Sequence, residues 1–245
     1  MVRKNSDFWL EGVKMKKEVA DKIANKFYDK VKSLKRYTLT VNNPILPPNL
    51  PNWGIGVMYE NGENAFDDEK ITYITYNKTI GNFGKRLEEH FLMRNKSHRR
   101  SSWRNHVARA FINKNNDDSD LFDLWNGNSN FRRNYTRNLK NQNEKYVKEK
   151  LEEYENLVDK YVQGNFSFSI ISCPTQEIQR RLRSRIIATL AQTEKISLSE
   201  DWLGKHSIDG DLRQIAKNGI WNIECAKGKI LTDDDFDLLD EYLEL

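Results

Sequence analysis

The chain has 245 residues, is 31% charged and 38% hydrophobic, and has a mean hydropathy of −0.81. That length suits one large domain or a smaller one with additions, and no apolar run approaches the ~20 residues a bilayer span needs, so no membrane segment is expected. The 40 basic residues outnumber the 36 acidic ones, but seven acids and no base lie in 231–245, which leaves 40 against 29 over positions 1–230, a net of +11. Such a body favours a polyanionic partner, with the acidic end capping or docking on it. Two cysteines, Cys173 and Cys225, and four histidines, His90, His98, His106 and His206, form no metal-ligand spacing. A His/Cys zinc site is therefore not expected, and free thiols in a reducing, cytoplasmic location are. The opening MVRKNSDFWLEG is basic without an apolar core and does not read as a secretory signal.

In chain order, residues 7–34 predict an amphipathic helix with Val19, Ile23, Phe27, Val31 and Leu34 on its apolar face. Its lysines, Lys14, Lys16, Lys17, Lys22, Lys26 and Lys30, crowd the other face, as a solvated surface or an arm along DNA. Tyr37–Val41 alternates like a strand, and a segment with Pro44, Pro47, Pro48 and Pro51 is an extended linker. Trp53–Glu60 predicts a strand, with a turn at Asn61–Asn64 and a long loop to Lys70 before a second, antiparallel strand from Ile71. Gly81 marks a turn and Asn82 a helix cap. On that helix Arg86 and His90, four residues apart, share one face beside Leu87 and Phe91.

Between Lys85 and Arg109 stand eight basic residues and two acidic ones, the densest basic region of the chain. Lys85, Arg99, Arg100, Arg104 and Arg109 are the candidate backbone contacts for duplex DNA. Ser101–Phe111 predicts a second helix, with Trp103, Val107, Ala110 and Phe111 inward. Residues 113–163 read as an insert ending in a charged helix laid across one sheet edge, with Tyr146, Leu151, Leu157, Val158 and Tyr161 as an irregular stripe. Phe166–Ser172 predicts the third strand, and a helix from Thr175 turns Ile178, Leu182, Ile186 and Leu190 inward. A short helix at Asp211–Asn218, a strand at Gly219–Glu224 and an acidic final helix complete the reading.

The order of these pieces resembles the GIY-YIG nuclease domain, in a bacterial subgroup of restriction or anti-phage type. The matching stretches are GIGVMYE (54–60), YIT (73–75), NFGKRLEEHF (82–91), SSWRNHVARAF, FSFSIIS, RSRIIATLAQ, SEDWLG and GIWNIE, spread over most of Trp53–Glu224. The resemblance implies an α+β fold with a small central sheet of about three strands flanked by helices. The domain spans 51–230, preceded by a helix and linker in 1–50 and followed by an acidic helix in 231–245. It also implies DNA phosphodiester hydrolysis with Mg²⁺ or Mn²⁺, and a unit that is a monomer or a homodimer. Tyr73 matches the tyrosine of YIG, Arg86 the arginine that stabilises phosphate charge, and His90 a histidine one turn later in some members.

Two positions depart from that pattern. Gly56 stands where the first strand carries its catalytic tyrosine, and Tyr59, three residues along, points to the opposite face. Arg183 stands where a helix carries the metal-binding glutamate, and Glu177, six residues earlier, lies elsewhere around the helix. An arginine there repels a divalent cation and is itself a phosphate ligand. Three readings follow: an active endonuclease, a binding module that has lost metal-dependent hydrolysis, or an active enzyme silenced by an engineered Arg183. An interaction domain unrelated to nucleic acid is the bland alternative.

Overall fold

The computed structural model describes residues 4–92, 101–116, 144–194, 198–208 and 213–243. Its centre is strand β1 (Trp53–Ala65), flanked by β2 (Asp68–Tyr76) and β3 (Phe166–Cys173) in a sheet of order β2-β1-β3 with both pairs antiparallel. The β1–β2 connection is shorter than the sequence suggests. Only Phe66 and Asp67 separate the strands, with φ of 52° and 61°. Two left-handed residues in succession follow the right-handed twist of the strands, as in a type I′ turn. Asn61–Asn64, read as a turn, lies inside β1, where the pairing register shifts between Glu60 and Asn64.

Side chains on β1 alternate between two cores, as a strand buried on both faces requires. Ile55, Val57 and Tyr59 face α1 (Lys4–Val31) and α5 (Gln176–Gln192). Met58 joins the other core with Tyr73 and helices α2 (Phe83–Phe91), α3 (Ser102–Lys114) and α4 (Glu144–Asn165). On α1 the buried row is Ala20, Ala24, Phe27, Tyr28 and Val31; Val19, expected on it, is 50% exposed. On α4 it is Tyr154, Val158 and Val162. That helix packs on α2 and α3 and also lies against β1 and the edge strand β3, where Tyr161 meets Phe166.

Both outer edges of the sheet are closed by segments that read as strands in the sequence but do not form one. Tyr37 and Phe168 exchange both backbone hydrogen bonds on β3, at 2.8 and 2.9 Å, and the rest of Tyr37–Val41 does not join the sheet. On β2, Gly219–Glu224 is not a strand. Its Trp221 amide donates to the Thr72 carbonyl at 2.6 Å. Asn222 then imitates a backbone partner, its Oδ1 accepting from the Ile74 amide at 2.8 Å and its Nδ2 donating to the Ile74 carbonyl at 3.0 Å. A short α6 (Gln214–Asn218) leads into this segment, and a 3₁₀ turn, Leu203–His206, precedes it.

The acidic helix α7 (Asp233–Leu243) docks on β3 and α1 and is tied to α5 through Asp235. Phe236 and Leu239 are buried, and fully buried Asp235 receives Arg181 at 2.7 Å and Arg185 at 2.5 Å. Lys26 meets Asp233 at 3.1 Å and Lys30 meets Asp240 at 2.5 Å, so part of the lysine face of α1 is matched by α7. Exposed pairs of this kind contribute roughly 0–1 kcal/mol each, so the apolar contacts and Asp235 hold the helix. Among the described residues no helix is long and apolar enough to cross a membrane. Asn222→Ala strips Ile74 of both backbone partners and is expected to cost about 2–4 kcal/mol, read as a lower urea midpoint at unchanged slope.

Candidate functional site

Gly81, at φ +71°, turns the chain from β2 into α2 and donates its amide to the Asn52 carbonyl at 3.0 Å. Asn82 makes no side-chain cap, contrary to the expectation for it. What seats α2 is Phe83, packed so closely on β1 that a Cβ at Gly54 would lie 2.7 Å from its ring. Gly56 is equally confined, because a Cβ there would stand 2.7 Å from the Thr75 methyl carbon. A tyrosine side chain has no space at position 56.

One turn beyond Arg86, His90 is fully buried. Its Nε2 is paired with Thr75 Oγ1 at 2.6 Å and its Nδ1 with Ser101 Oγ at 2.7 Å. Ser101 also caps α3 by accepting from the Arg104 amide at 3.2 Å. Tyr73 stacks on Trp103 with ring centroids 4.9 Å apart and meets His90 edge-on at 5.5 Å. Tyr73 and His90 thus share one face of the sheet, inside the core. Arg86, partly exposed, pairs with Glu89 at 3.1 Å and lies close enough to His90 to depress its pKa.

The basic region divides. Lys85 is exposed at the start of α2. Arg99 and Arg100 lie outside the described residues. Arg109 is partly buried and donates to the Ile208 carbonyl. Arg104 is not a surface group: 1% exposed, it donates to Glu155 at 2.9 Å, Asp159 at 2.6 Å and the His90 carbonyl at 3.2 Å. Its place among the DNA contacts is therefore withdrawn. The guanidinium is spent on tying α3 to α4, where the helical spacing of Glu155 and Asp159 puts both carboxylates on one face.

Arg183 lies across the sheet from His90. It is 7% exposed, its Cζ is 4.0 Å over the ring of Tyr76, and its Nη2 donates to Glu224 Oε1 at 2.6 Å. Tyr76 pairs across the strands with Ile55, on the α5 face, whereas Tyr73 pairs with Met58 on the other. Tyr76 is thus the aromatic beside Arg183. Strand alternation could have separated the two tyrosines, since residues three apart point to opposite faces. Tyr59 offers no substitute for a missing tyrosine. It is fully buried on the α1–α5 face, with the Arg36 guanidinium 3.9 Å over its ring.

The chemistry of these donors does not fit a divalent cation. A guanidinium occupies the helix position at which the resemblance implies a carboxylate, and the nearby carboxylate, Glu224, is engaged by it. Among the described residues no group of three or more His, Cys, Asp or Glu converges.

A second polar cluster went unforeseen. Glu60 is buried in β1 and accepts from Tyr161 Oη, from Trp202 Nε1 at 3.1 Å and from Trp221 Nε1 at 3.3 Å. Lys70 stands opposite it in the β1–β2 register and lies 4.6 Å over the Trp202 ring. Burial raises the Glu60 pKa and lowers that of Lys70 to about 8. Glu63 accepts from the Ser199 amide at 3.0 Å. This cluster joins the hairpin to the segment before and after α6. No motif announces it, because its members are spread over more than a hundred residues of chain.

Burial, with the charges of Arg86 and Arg104, holds His90 well below the ordinary histidine pKa, so the folded imidazole is neutral. The unfolded chain takes up a proton near pH ~6.5 that the fold refuses, so stability present above that pH is lost as pH falls towards the lowered value. The expected slope is about 1.4 kcal/mol per pH unit for this group. Urea titrations from pH ~6.5 to ~5 should show a slope smaller by that amount in His90→Gln than in the parent chain; His106, whose pKa burial lowers to about 4, contributes to both.

Neither a curated protein nor a solved structure matches the chain. A family model described as the GIY-YIG domain does, over residues 18–244, from within α1 past the end of α7. With that match and a three-stranded antiparallel sheet packed by helices on both faces, the chain belongs to the GIY-YIG nuclease family.

Proposed function

We propose that this chain is a DNA-binding member of its family, of restriction or anti-phage type, that grips the phosphodiester backbone and lacks metal-dependent hydrolysis as its sequence stands. The observation that carries this reading is Arg183: a buried cation stacked on Tyr76, at the position where the resemblance implies the metal-binding carboxylate. A fixed positive charge there opposes the cation that would offset charge on a pentacovalent phosphate. The confinement of Gly56 supports it independently, because no hydroxyl can be delivered from that position to help activate water.

DNA contact is supported by a basic balance, +11 over 1–230 and +4 over the whole chain, and by exposed Lys85 beside partly exposed Arg86 on α2. His90, buried between Thr75 and Ser101, acts in this reading as a positioning residue for α2. Tyr73 does the same through its stack on Trp103.

An active endonuclease is the second reading, favoured by Arg86 at the place the family gives its phosphate-stabilising arginine. Plasmid assays in Mg²⁺ and Mn²⁺ separate the two. The parent sequence is expected to bind duplex without cutting, and Arg183→Glu to gain cleavage. Efficient cutting by the parent overturns the proposal.

Duplex affinity is expected to fall by orders of magnitude between about 50 and 200 mM salt, as when several phosphates are neutralised. Arg86→Ala should weaken binding with its Tm little changed. Affinity indifferent to salt removes the electrostatic basis of the reading.

A further inference from the structure

We infer that the Nε–Nη2 edge of Arg183 is a phosphate oxyanion site, closed in this structure by Glu224. The inference rests on the DNA-binding reading for the origin of the phosphate, but not for the site itself. A guanidinium presents two parallel N–H groups along that edge, and an anion with two suitably spaced oxygens engages both. Here only one is engaged. Glu224 Oε1 takes Nη2 at 2.6 Å, while Nε is buried without a hydrogen-bond partner. A buried charged donor left unmade is costly, and a ligand that completes the fork recovers that cost.

The two partners differ sharply in setting. The Arg183 side chain is 8% exposed and the Glu224 side chain 64%. Stacking on Tyr76 fixes the plane of the guanidinium, so the arginine is pre-organised while the glutamate is free to turn into water. Glu224 stands two residues after Asn222, whose paired bonds to Ile74 anchor the segment to β2. The backbone therefore keeps the carboxylate at the mouth of the site while its side chain can yield. A phosphodiester or phosphate oxyanion entering there replaces a single contact by two and leaves Glu224 solvated.

The other arginines packed against carboxylates do not share this arrangement. Arg104 also has an unpartnered Nε, but its other nitrogens are held by two buried carboxylates and a carbonyl, and Arg181 and Arg185 share a carboxylate that is fully buried. Arg183 alone among these four combines a buried fork, an exposed partner and an orphaned Nε.

The test uses the full chain in EDTA, titrated by calorimetry with a short duplex and, separately, with inorganic phosphate. The variants are Glu224→Gln and the double variant Glu224→Gln with Arg183→Lys. Glu224→Gln is expected to bind both ligands more tightly, by on the order of tenfold, because the closing charge is gone. The double variant should lose that gain, since a lysine ammonium cannot present the fork. Tighter phosphate with no duplex binding supports the site and removes the DNA reading. Unchanged affinity for both ligands, tightening of the duplex alone, or a gain that survives in the double variant overturns the inference. Glu224→Gln alters an exposed side chain, so the first comparison holds even if the double variant is poorly folded.

Discussion

The close approach of Phe83 to the central strand is the contact on which the α2 side of the molecule depends. At 2.7 Å from its ring there is no room for a Cβ at Gly54, and the Thr75 methyl imposes the same limit at Gly56. Interiors packed at crystal-like density accommodate such contacts only by removing side-chain atoms. The closeness brings His90 within 2.6 Å of Thr75 and lets Ser101 bond to the same imidazole, which registers α2 and α3 against β2. The tightness that aligns Arg86 and the room denied to a tyrosine at position 56 are two sides of one packing choice.

Buried charge shows a similar economy. Arg104 joins three helices: it lies on α3 and donates to two carboxylates of α4 and to a carbonyl of α2. Removing one partner of such a cluster typically costs about 3–5 kcal/mol, because the remaining charges stay in a poorly polarisable interior. That makes a residue of the basic region a structural clamp. Glu60 plays the matching part on the hairpin, a carboxylate surrounded by a phenol and two indoles.

The framework was legible in the sequence wherever a local pattern carries it. β1, β3, α5 and the helix bearing Arg86 and His90 follow from alternation, caps and four-residue spacing. At Ser101 and Thr175, where two helices were expected to start, the hydroxyl accepts from the third amide on. Three kinds of feature were not legible. Tyr37–Val41 and Gly219–Glu224 have strand composition, but pairing at a sheet edge is decided by what lies beside it. Arg104 looked like its basic neighbours because burial is a property of the assembled helices, not of a window. Glu60, Lys70, Trp202 and Trp221 meet only in three dimensions. The site was half legible: the positions of Gly56 and Arg183 could be named, but Tyr76 and Glu224 emerge as the companions of Arg183 only once the fold is closed.

The closure of β2 by Trp221 and Asn222 has a consequence for the order of events in the cell. The strand is complete by residue 76, yet the segment that covers its outer edge is made almost 150 residues later. During that interval an emerging chain carries an uncovered Ile71–Tyr76 ladder, β-branched and aromatic, with backbone groups ready to pair with any neighbouring strand. Synthesis at about 5–20 residues per second makes this a window of roughly seven to thirty seconds. The Trp221–Asn222 segment thus acts as a late seal on the β1–β2 hairpin.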